Sequence, residues 1–257
     1  MHHVPLPPAF LSTPIAHRAY HNRSLRRPEN SRAAIRAAIA AGYGIEIDLQ
    51  LSSDGHAMVF HDDDLYRLTS ETGPICAQTA ATLTAINLRD SDETIPTLPE
   101  ILTLIAGRTP LLIEIKDQEH NGGPGIGPLE AATAKALATY QGPVAVMSFN
   151  PKAIAEMARL APHIPRGLTT GSYDYEGYAP LPPALCDRLR EIPDYAPTGS
   201  SFISHEWRDL ARPRVTDLKT AGAAILCWTI KSPLDEATAR KIAQNITFEQ
   251  YPAPFPA

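Results

Sequence analysis

Short apolar segments and alanine-rich helical patterns alternate along the whole chain, and this order restricts the fold more than any other feature. Segments such as GIEIDLQ (44–50) and LLIEIK (111–116) are typical of strands, and SRAAIRAAIAAG (31–42) is typical of a helix. Repeated strand and helix units indicate a parallel sheet. An open doubly wound sheet usually has a glycine-rich phosphate loop after its first strand, which this chain lacks. About eight units fit the chain length, so we predict an α/β fold, a (β/α)8 TIM barrel, as one domain over residues 1–257.

Two segments depart from regular βα units. Residues 62–97 are polar and longer than an ordinary connection between a strand and a helix. We therefore predict a small insertion after the second barrel strand, either an inserted subdomain or a lid over the site. The segment NGGPGIGP at 121–128 is rich in glycine and proline and predicts a second flexible loop.

Charge and cysteine content restrict the class of partner. A net charge of -5 and a pI near 6.0 give no basic footprint for nucleic acid, so we expect a small-molecule partner. Three widely spaced cysteines, Cys76, Cys186 and Cys227, fit reduced thiols better than a disulfide framework. The first residues lack the pattern of a signal peptide, and no segment has the uncharged length that spans a bilayer. These features predict a cytoplasmic protein without stable membrane insertion.

Carboxylates occur at a spacing of two within two of the predicted strands. Residues i and i+2 of a strand share a face, so Glu46 and Asp48 lie together, and Glu114 lies with Lys116 on its own strand. In a barrel these faces would line the mouth at the carboxyl ends of the strands. Three converging carboxylates are costly to bury without a cation, and oxygen ligands select Mg²⁺ or Ca²⁺ over zinc. The alternative is that Glu46 and Asp48 are solvated on an edge strand and Glu114 pairs with Lys116.

Two histidines lie at the ends of predicted strands. His17 ends TPIAH (13–17), and His61 ends AMVFH (57–61), which would place both at the level of the carboxylates. A single such histidine is more often structural, but two beside a metal suit general acid and base catalysis. The remaining histidines are interpreted mostly as surface residues: His2, His3, His21, His56, His120, His163 and His205.

An ordered set of motifs resembles the glycerophosphodiester phosphodiesterase family. The set covers nearly the whole chain and comprises HR (17–18), PEN (28–30), EID (46–48), DG (54–55), HD (61–62), LYRLT (65–69), IPTLPEIL (95–102), IEIK (113–116), SFN (148–150) and WTI (228–230). The resemblance implies a TIM-barrel enzyme that cleaves a phosphodiester with a divalent cation. It implies that His17 and His61 act as acid and base, and that Glu46, Asp48 and Glu114 hold the metal.

The resemblance also implies roles for residues beside this set. Arg18 and Lys116 would contact the phosphate, Glu29 would orient the first-strand residues, and the insertion at 62–97 has a counterpart in the family. Trp228 shares a strand face with Leu226 and is either an apolar wall of the substrate site or a core residue.

The chain departs from the family pattern at several positions outside the proposed catalytic and metal-binding residues. Ala19 stands where glycine is usual, Lys231 stands for asparagine, and Glu249 with Gln250 replaces threonine and aspartate. The loop before Pro28 carries an arginine cluster, which is either an additional anion site or a solvated basic loop: Arg23, Arg26 and Arg27.

These departures leave the proposed catalytic set intact but affect the expected glycerol pocket. Our first hypothesis is release of sn-glycerol 3-phosphate and an alcohol from glycerophosphodiesters. The second is the same chemistry on a lysophospholipid or sugar phosphodiester, and the third is a catalytically silent barrel that binds phosphodiesters.

Overall fold

Eight parallel strands close into a barrel with helices between them, which confirms the predicted fold class. The structure is a computed structural model and describes residues 3–119 and 125–256. The barrel closes where β1 pairs with both β2 and β9, and a ninth strand, β3, joins β2 outside the barrel. The strands are β1 (Ile15–Ala16), β2 (Gly44–Leu51), β3 (Ala57–Val59), β4 (Leu111–Ile115), β5 (Val144–Ser148), β6 (Arg166–Thr170), β7 (Phe202–Glu206), β8 (Ala224–Ile230) and β9 (Asn245–Phe248).

The helices begin and end at residues whose side chains or backbone conformation suit those positions. Ser31 caps the first long helix by accepting a hydrogen bond from the Ala34 amide, and Gly42 ends that helix in the left-handed region. The helices are α1 (Ala9–Ser12), α2 (Arg32–Ala41), α3 (Ala80–Leu83), α4 (Leu98–Ile105), α5 (Pro128–Leu137), α6 (Pro151–Leu160), α7 (Pro183–Arg190), α8 (Pro213–Thr220) and α9 (Pro233–Ala239).

Alternate residues of each barrel strand point inward and outward, and this alternation separates polar from apolar chemistry. On β2, Ile45, Ile47 and Leu49 pack in the apolar layer under the helices. The intervening residues, Glu46 and Asp48, point to the other face. Because the strands are parallel and in register, the inward residues near their carboxyl ends form one polar layer at the barrel mouth.

Apolar side chains fill the opposite end of the barrel. Phe10 on α1 packs into this end against a cluster that includes Leu112 and Phe202. The Asn245 side chain fixes α1 by donating hydrogen bonds to the carbonyl oxygens of Phe10 (2.7 Å) and Thr13 (2.6 Å). Because apolar side chains fill this end, which we call the barrel floor, the polar side chains of the interior lie at the mouth.

The segment between β2 and α4 forms the predicted insertion and has an apolar cluster of its own. Met58, Phe60, Leu65, Leu83 and Ile95 are buried together in it. These contacts favour an inserted subdomain over an open lid. Because β3 runs antiparallel to β2, the interpretation of residues 57–61 as a barrel strand is wrong.

Several further features bear on the predictions about loops, cysteines and membranes. All three cysteines are free. Residues 120–124 lie outside the described part of the chain, so the glycine-rich loop at 121–128 is described only from residue 125. Within residues 3–119 and 125–256, no helix has the length and apolar character needed to cross a bilayer.

Candidate active site

Three carboxylates from two neighbouring strands meet at the barrel mouth. Asp48 and Glu114 are paired positions on β2 and β4, and Glu46 lies one inward position earlier on β2. All three are buried, and each offers one oxygen within 4.8 Å of the others. The alternative of solvated carboxylates on an edge strand is wrong, because β2 lies between β1 and β4.

Hydrogen bonds from the β1–α2 loop hold two of these carboxylates. The Asn30 side-chain amide donates to Asp48 Oδ2 at 2.9 Å, and the Asp48 amide donates to Asn30 Oδ1 at 3.2 Å. The Arg18 amide donates to Glu46 Oε2 at 2.7 Å. The buried Glu46 Oε1 has no hydrogen-bond partner within the described residues. Asn30 was not among the predicted site residues, although it lies in the quoted PEN motif.

This donor set fits a hard divalent cation. Burial, reinforced by the charges of Asp48 and Glu114, raises the pKa of Glu46 well above its ordinary value. All the converging atoms are oxygens, which suits Mg²⁺ or Ca²⁺. A divalent cation would offset the repulsion among the carboxylates and give Glu46 Oε1 a partner.

Two cationic side chains also lie against the carboxylates. Lys116 Nζ lies 2.7 Å from Asp48 Oδ1 and 2.6 Å from Glu114 Oε1, and Arg18 Nε lies 3.8 Å from Asp48 Oδ2. Burial tends to raise the pKa of Asp48, but Lys116, His61, Arg18 and His17 outweigh burial and lower it. Both predicted catalytic histidines are therefore among the groups that lower the pKa of Asp48.

A carboxylate that directly follows the last barrel strand contacts His17. His17 Nδ1 lies 2.7 Å from Glu249 Oε2, and Glu249 Oε1 lies 2.8 Å from Lys231 Nζ. His21 Nε2 lies 3.5 Å from the same carboxylate. Because a carboxylate only accepts hydrogen bonds, this contact places the His17 proton on Nδ1. Two of the departures from the family pattern, Lys231 and Glu249, are thus in contact with each other.

The pKa values of His17 and Glu249 are both lowered, for different reasons. Burial lowers the pKa of His17, although the hydrogen bond to Glu249 opposes this effect. Burial tends to raise the pKa of Glu249, but the contacts with His17, His21 and Lys231 outweigh it and lower the pKa. Glu249 is therefore anionic at neutral pH, and its contact with His17 favours the protonated imidazole.

His61 also lies at the barrel mouth, but on a different element from the one predicted. It follows β3 instead of ending a barrel strand, and its carbonyl oxygen accepts a hydrogen bond from Gln50 Nε2 at 3.1 Å. Its Nδ1 lies 2.7 Å from Asp62 Oδ1. Like His17, it therefore has a carboxylate at Nδ1 and a proton assigned to that nitrogen.

An ion-pair chain joins the His61 loop to the His17 loop. Arg67 Nε donates to Asp62 Oδ2 at 2.6 Å, and the same guanidinium donates to Glu29 at 2.7 and 2.9 Å. Glu29 Oε1 in turn accepts from Arg18 at 2.8 Å. The sequence-predicted Glu29 therefore lies against Arg18. Asp62 and Arg67 were not among the predicted site residues, although they lie in the quoted HD and LYRLT motifs.

A cavity of about 970 Å³ opens beside the carboxylates. Its wall includes His61, Glu114, Lys116 and Phe149. The predicted Trp228 packs edge-on against Phe149, with ring centres 5.5 Å apart, and its Nε1 donates to the Ser204 carbonyl oxygen at 3.0 Å.

The remaining histidines differ in their surroundings. His205 is fully buried, with Nδ1 2.8 Å from Thr170 Oγ1 and Nε2 3.2 Å from Asp209 Oδ2, so it is an exception to the expectation that most of these histidines lie at the surface. It shares the helix-facing side of β7 with Ile203, which removes it from the barrel mouth. His21 is half-buried, His3, His56 and His163 are exposed, and His2 and His120 lie outside the described residues.

The arginine cluster is held against the insertion. Arg23 pairs with Asp90 at 2.8 Å, Arg26 lies 3.4 Å from Asp92, and Arg27 lies over the Tyr20 ring. These exposed pairs favour a structural contact between the two loops over an additional anion site.

Comparisons with known proteins indicate the family to which this chain is related. A sequence model of the glycerophosphoryl diester phosphodiesterase family matches residues 17–247. A glycerophosphodiester phosphodiesterase of Caldanaerobacter subterraneus is 34% identical over 165 residues, which cover 60% of this chain. The same alignment covers 65% of that relative, less than two thirds of its length.

Solved structures match over a greater length. A phosphodiesterase of Oleispira antarctica, in complex with the product sn-glycerol-3-phosphate, is 27% identical with a TM-score of 0.76, covering 95% of this chain and 96% of that one. A glycerophosphodiester phosphodiesterase of Thermotoga maritima, at 21% identity and a TM-score of 0.68 over 96% of each chain, shows the similarity of fold.

Proposed function

Because this chain belongs to the glycerophosphoryl diester phosphodiesterase family, we propose that it hydrolyses glycerophosphodiesters to sn-glycerol 3-phosphate and an alcohol. The observation that carries the proposal is the convergence of three buried carboxylates, one of which, Asp48, has its pKa lowered by His17 and His61. The product bound by the Oleispira antarctica relative supports the glycerol 3-phosphate half of the substrate. We treat residues 1–257 as one catalytic domain.

In this proposal Glu46, Asp48 and Glu114 hold a divalent cation, Mg²⁺ or Ca²⁺. When bound, the cation supplies positive charge that stabilises the negative charge developing on the phosphoryl oxygens. Asn30 fixes the orientation of the Asp48 carboxylate through its two hydrogen bonds, and the Arg18 amide does the same for Glu46. Loss of either support would loosen the ligand geometry.

His17 and His61 exchange protons with the reacting oxygens. Each has its Nδ1 proton engaged by a carboxylate, which leaves Nε2 as the nitrogen that accepts or donates a proton. One histidine takes the proton of the attacking hydroxyl group, and the other gives a proton to the departing alcohol. Glu249 and Asp62 stabilise the protonated form of His17 and of His61, which is the form that the acid has before the step and that the base acquires in it.

Arg18 and Lys116 provide positive charge for the phosphate. Glu29 holds the Arg18 guanidinium, and Lys116 contacts the carboxylate cluster, so both cations are positioned before the substrate arrives. Preorganised donors of this kind are a main source of rate enhancement in phosphoryl transfer. Trp228 supports the substrate cavity through its contact with Phe149.

The partner in this account is a small phosphodiester. The acidic net charge opposes nucleic acid as a substrate, and the three free cysteines support a cytoplasmic location.

Product analysis on a substrate panel tests the proposal. The panel contains the glycerophosphodiesters of choline, ethanolamine and glycerol, with bis(p-nitrophenyl) phosphate as a diester that lacks glycerol. We expect stoichiometric glycerol 3-phosphate and alcohol from at least one glycerophosphodiester, and little cleavage of the control. Cleavage of the control alone would contradict the proposed substrate class.

A further inference from the structure

The cavity beside the carboxylates continues into a space that glycerol and phosphate do not account for. Away from Glu114 and Lys116, the wall becomes apolar and follows the segment from β6 into α7. We call this part the apolar arm and define it by Phe149, Tyr178, Leu181, Leu185 and Leu189. The total volume of about 970 Å³ is at the upper end for small-molecule sites.

Packed aromatic rings form part of the wall of the apolar arm. The Tyr178 ring lies 4.6 Å from the buried Tyr173 ring and 6.5 Å from the Phe149 ring. The Tyr178 hydroxyl lies 3.4 Å from Glu206 Oε2, so its polar end is held at the barrel mouth. A wall built from packed rings presents apolar area at a small cost in side-chain entropy.

Charged residues that line the cavity have partners of their own. Arg188 pairs with Asp194 through contacts of 2.7 and 2.8 Å, and Asp62 pairs with His61 and Arg67. An ammonium group entering the arm would meet these neutralised pairs and lose hydration. An alkyl chain would instead bury its methylene groups against leucine and aromatic side chains.

We propose that the apolar arm binds an alkyl chain carried by the phosphodiester substrate. The proposal rests on the proposed function and deepens it by naming a class of substrate, phosphodiesters in which one alcohol bears several methylene groups. The chain belongs either to the departing alcohol or to the glycerol. Its chemistry is the same in both cases, and the experiment separates them.

Two substrate series test the arm. The first carries the chain on the departing alcohol, as sn-glycero-3-phospho-n-alkyl esters from methyl to octyl. The second carries it on glycerol, as 1-acyl-sn-glycero-3-phosphoethanolamines from acetyl to octanoyl. We expect kcat/KM to rise by up to about fourfold per methylene in one series until the arm is filled. Flat dependence in both series, with short esters still cleaved, would overturn the proposal.

A charge comparison separates an apolar arm from a pocket for a cation. The choline ester is compared with its neutral analogue of the same shape, the 3,3-dimethylbutyl ester of glycerol 3-phosphate. We expect the neutral ester to have the higher kcat/KM. A clear preference for choline would identify a cation pocket and overturn the proposal.

Variants on exposed and cavity-facing leucines provide the matched control. Leu185→Asp places a charge in the arm and should remove the chain-length dependence, while Leu185→Ala should reduce it. Leu234→Asp changes a 78% exposed leucine on α9 and should retain the wild-type dependence. Equal dependence in wild type and both Leu185 variants would also overturn the proposal.

Binding of n-alkyl phosphates, measured by calorimetry, gives a readout that does not need turnover. Affinity should increase with chain length in wild type and not in Leu185→Asp, with a negative heat-capacity change. If no ester is cleaved but affinity still rises with chain length, the proposed function is wrong, and binding of an alkyl chain in the apolar arm is retained. If affinity is independent of chain length, the proposal that the apolar arm binds an alkyl chain is wrong.

Discussion

Replacing Glu249 with glutamine tests whether this carboxylate positions His17. Oε2 of Glu249 accepts the hydrogen bond from His17 Nδ1 at 2.7 Å, and the Glu249 side chain is 10% exposed. The amide has nearly the same shape but no charge. It can present either oxygen or nitrogen to Nδ1, so the tautomer of His17 is no longer fixed.

The size of the effect follows from this one contact. A hydrogen bond to a charged group contributes about 1.5–3 kcal/mol, which corresponds to a decrease of about 10- to 150-fold in kcat. KM should change little, because Glu249 contacts the histidine and not the substrate. Glu249 favours protonated His17, so its loss should move the His17 limb of the pH–rate profile to lower pH.

Steady-state kinetics from pH 5 to 9 on the preferred glycerophosphodiester measure both effects. Glu191→Gln, at an exposed glutamate following α7, is the control and should behave as wild type. Lys231→Met should give a smaller effect of the same sign, since it removes a partner of Glu249. Unchanged kcat and pH profile in Glu249→Gln would refute the positioning of His17 by this carboxylate.

The same variant has a predicted signature in stability. The pKa of Glu249 is lower in the folded chain than the ordinary 4.5, so its contribution to stability is complete above that pH. It is lost as pH falls through the folded-state value. Denaturation curves should therefore show the largest difference between wild type and Glu249→Gln near neutral pH, and a shrinking difference below pH 4.5.

Three further predictions concern the other parts of the site and the barrel floor. His17→Ala and His61→Ala should each abolish turnover with an unchanged circular dichroism spectrum, and near-normal rates in either would refute the acid and base roles. Glu46→Gln should weaken cation binding by more than the roughly 10- to 100-fold typical for loss of a ligand's hydrogen-bond partner. Because the pKa of Glu46 is raised, the same change should stabilise chelator-treated protein above pH 4.5, and a lower melting temperature there would contradict this sign. Gly167→Ala would place a methyl carbon 2.5 Å from the Phe202 ring and 2.6 Å from the Phe202 carbonyl oxygen. Urea unfolding should therefore show a decrease of about 1–3 kcal/mol in the free energy of unfolding. An unchanged unfolding midpoint would show instead that the packing at this end of the barrel adjusts to the methyl group.

Local periodicity was sufficient to predict the carboxylate cluster. Glu46 and Asp48 are two positions apart on one strand, and any strand places such residues on one face. The strand and helix order then brings Glu114 beside them, because neighbouring parallel strands in a barrel are in register. The fold and the position of these three side chains were therefore accessible from sequence.

Contacts that depend on closure of the barrel were not accessible in this way. Glu249 and His17 are 232 positions apart and meet because β9 pairs with β1. Asn30 reaches Asp48 from a loop whose path no strand pattern specifies. The prediction that His61 ends a barrel strand was wrong for a related reason. An apolar run of four or five residues does not reveal whether a strand is parallel or antiparallel.

The central claim is that the three carboxylates bind one divalent cation on which phosphodiester cleavage depends. The most direct measurement titrates Mg²⁺ or Ca²⁺ into chelator-treated protein while bound cation and glycerol 3-phosphate release are followed together. We expect one cation to bind per chain, with activity rising in proportion to occupancy, and we expect Glu114→Gln to lose both cation binding and activity. Full activity in chelated protein, or cation binding that is unchanged by Glu114→Gln, would contradict it.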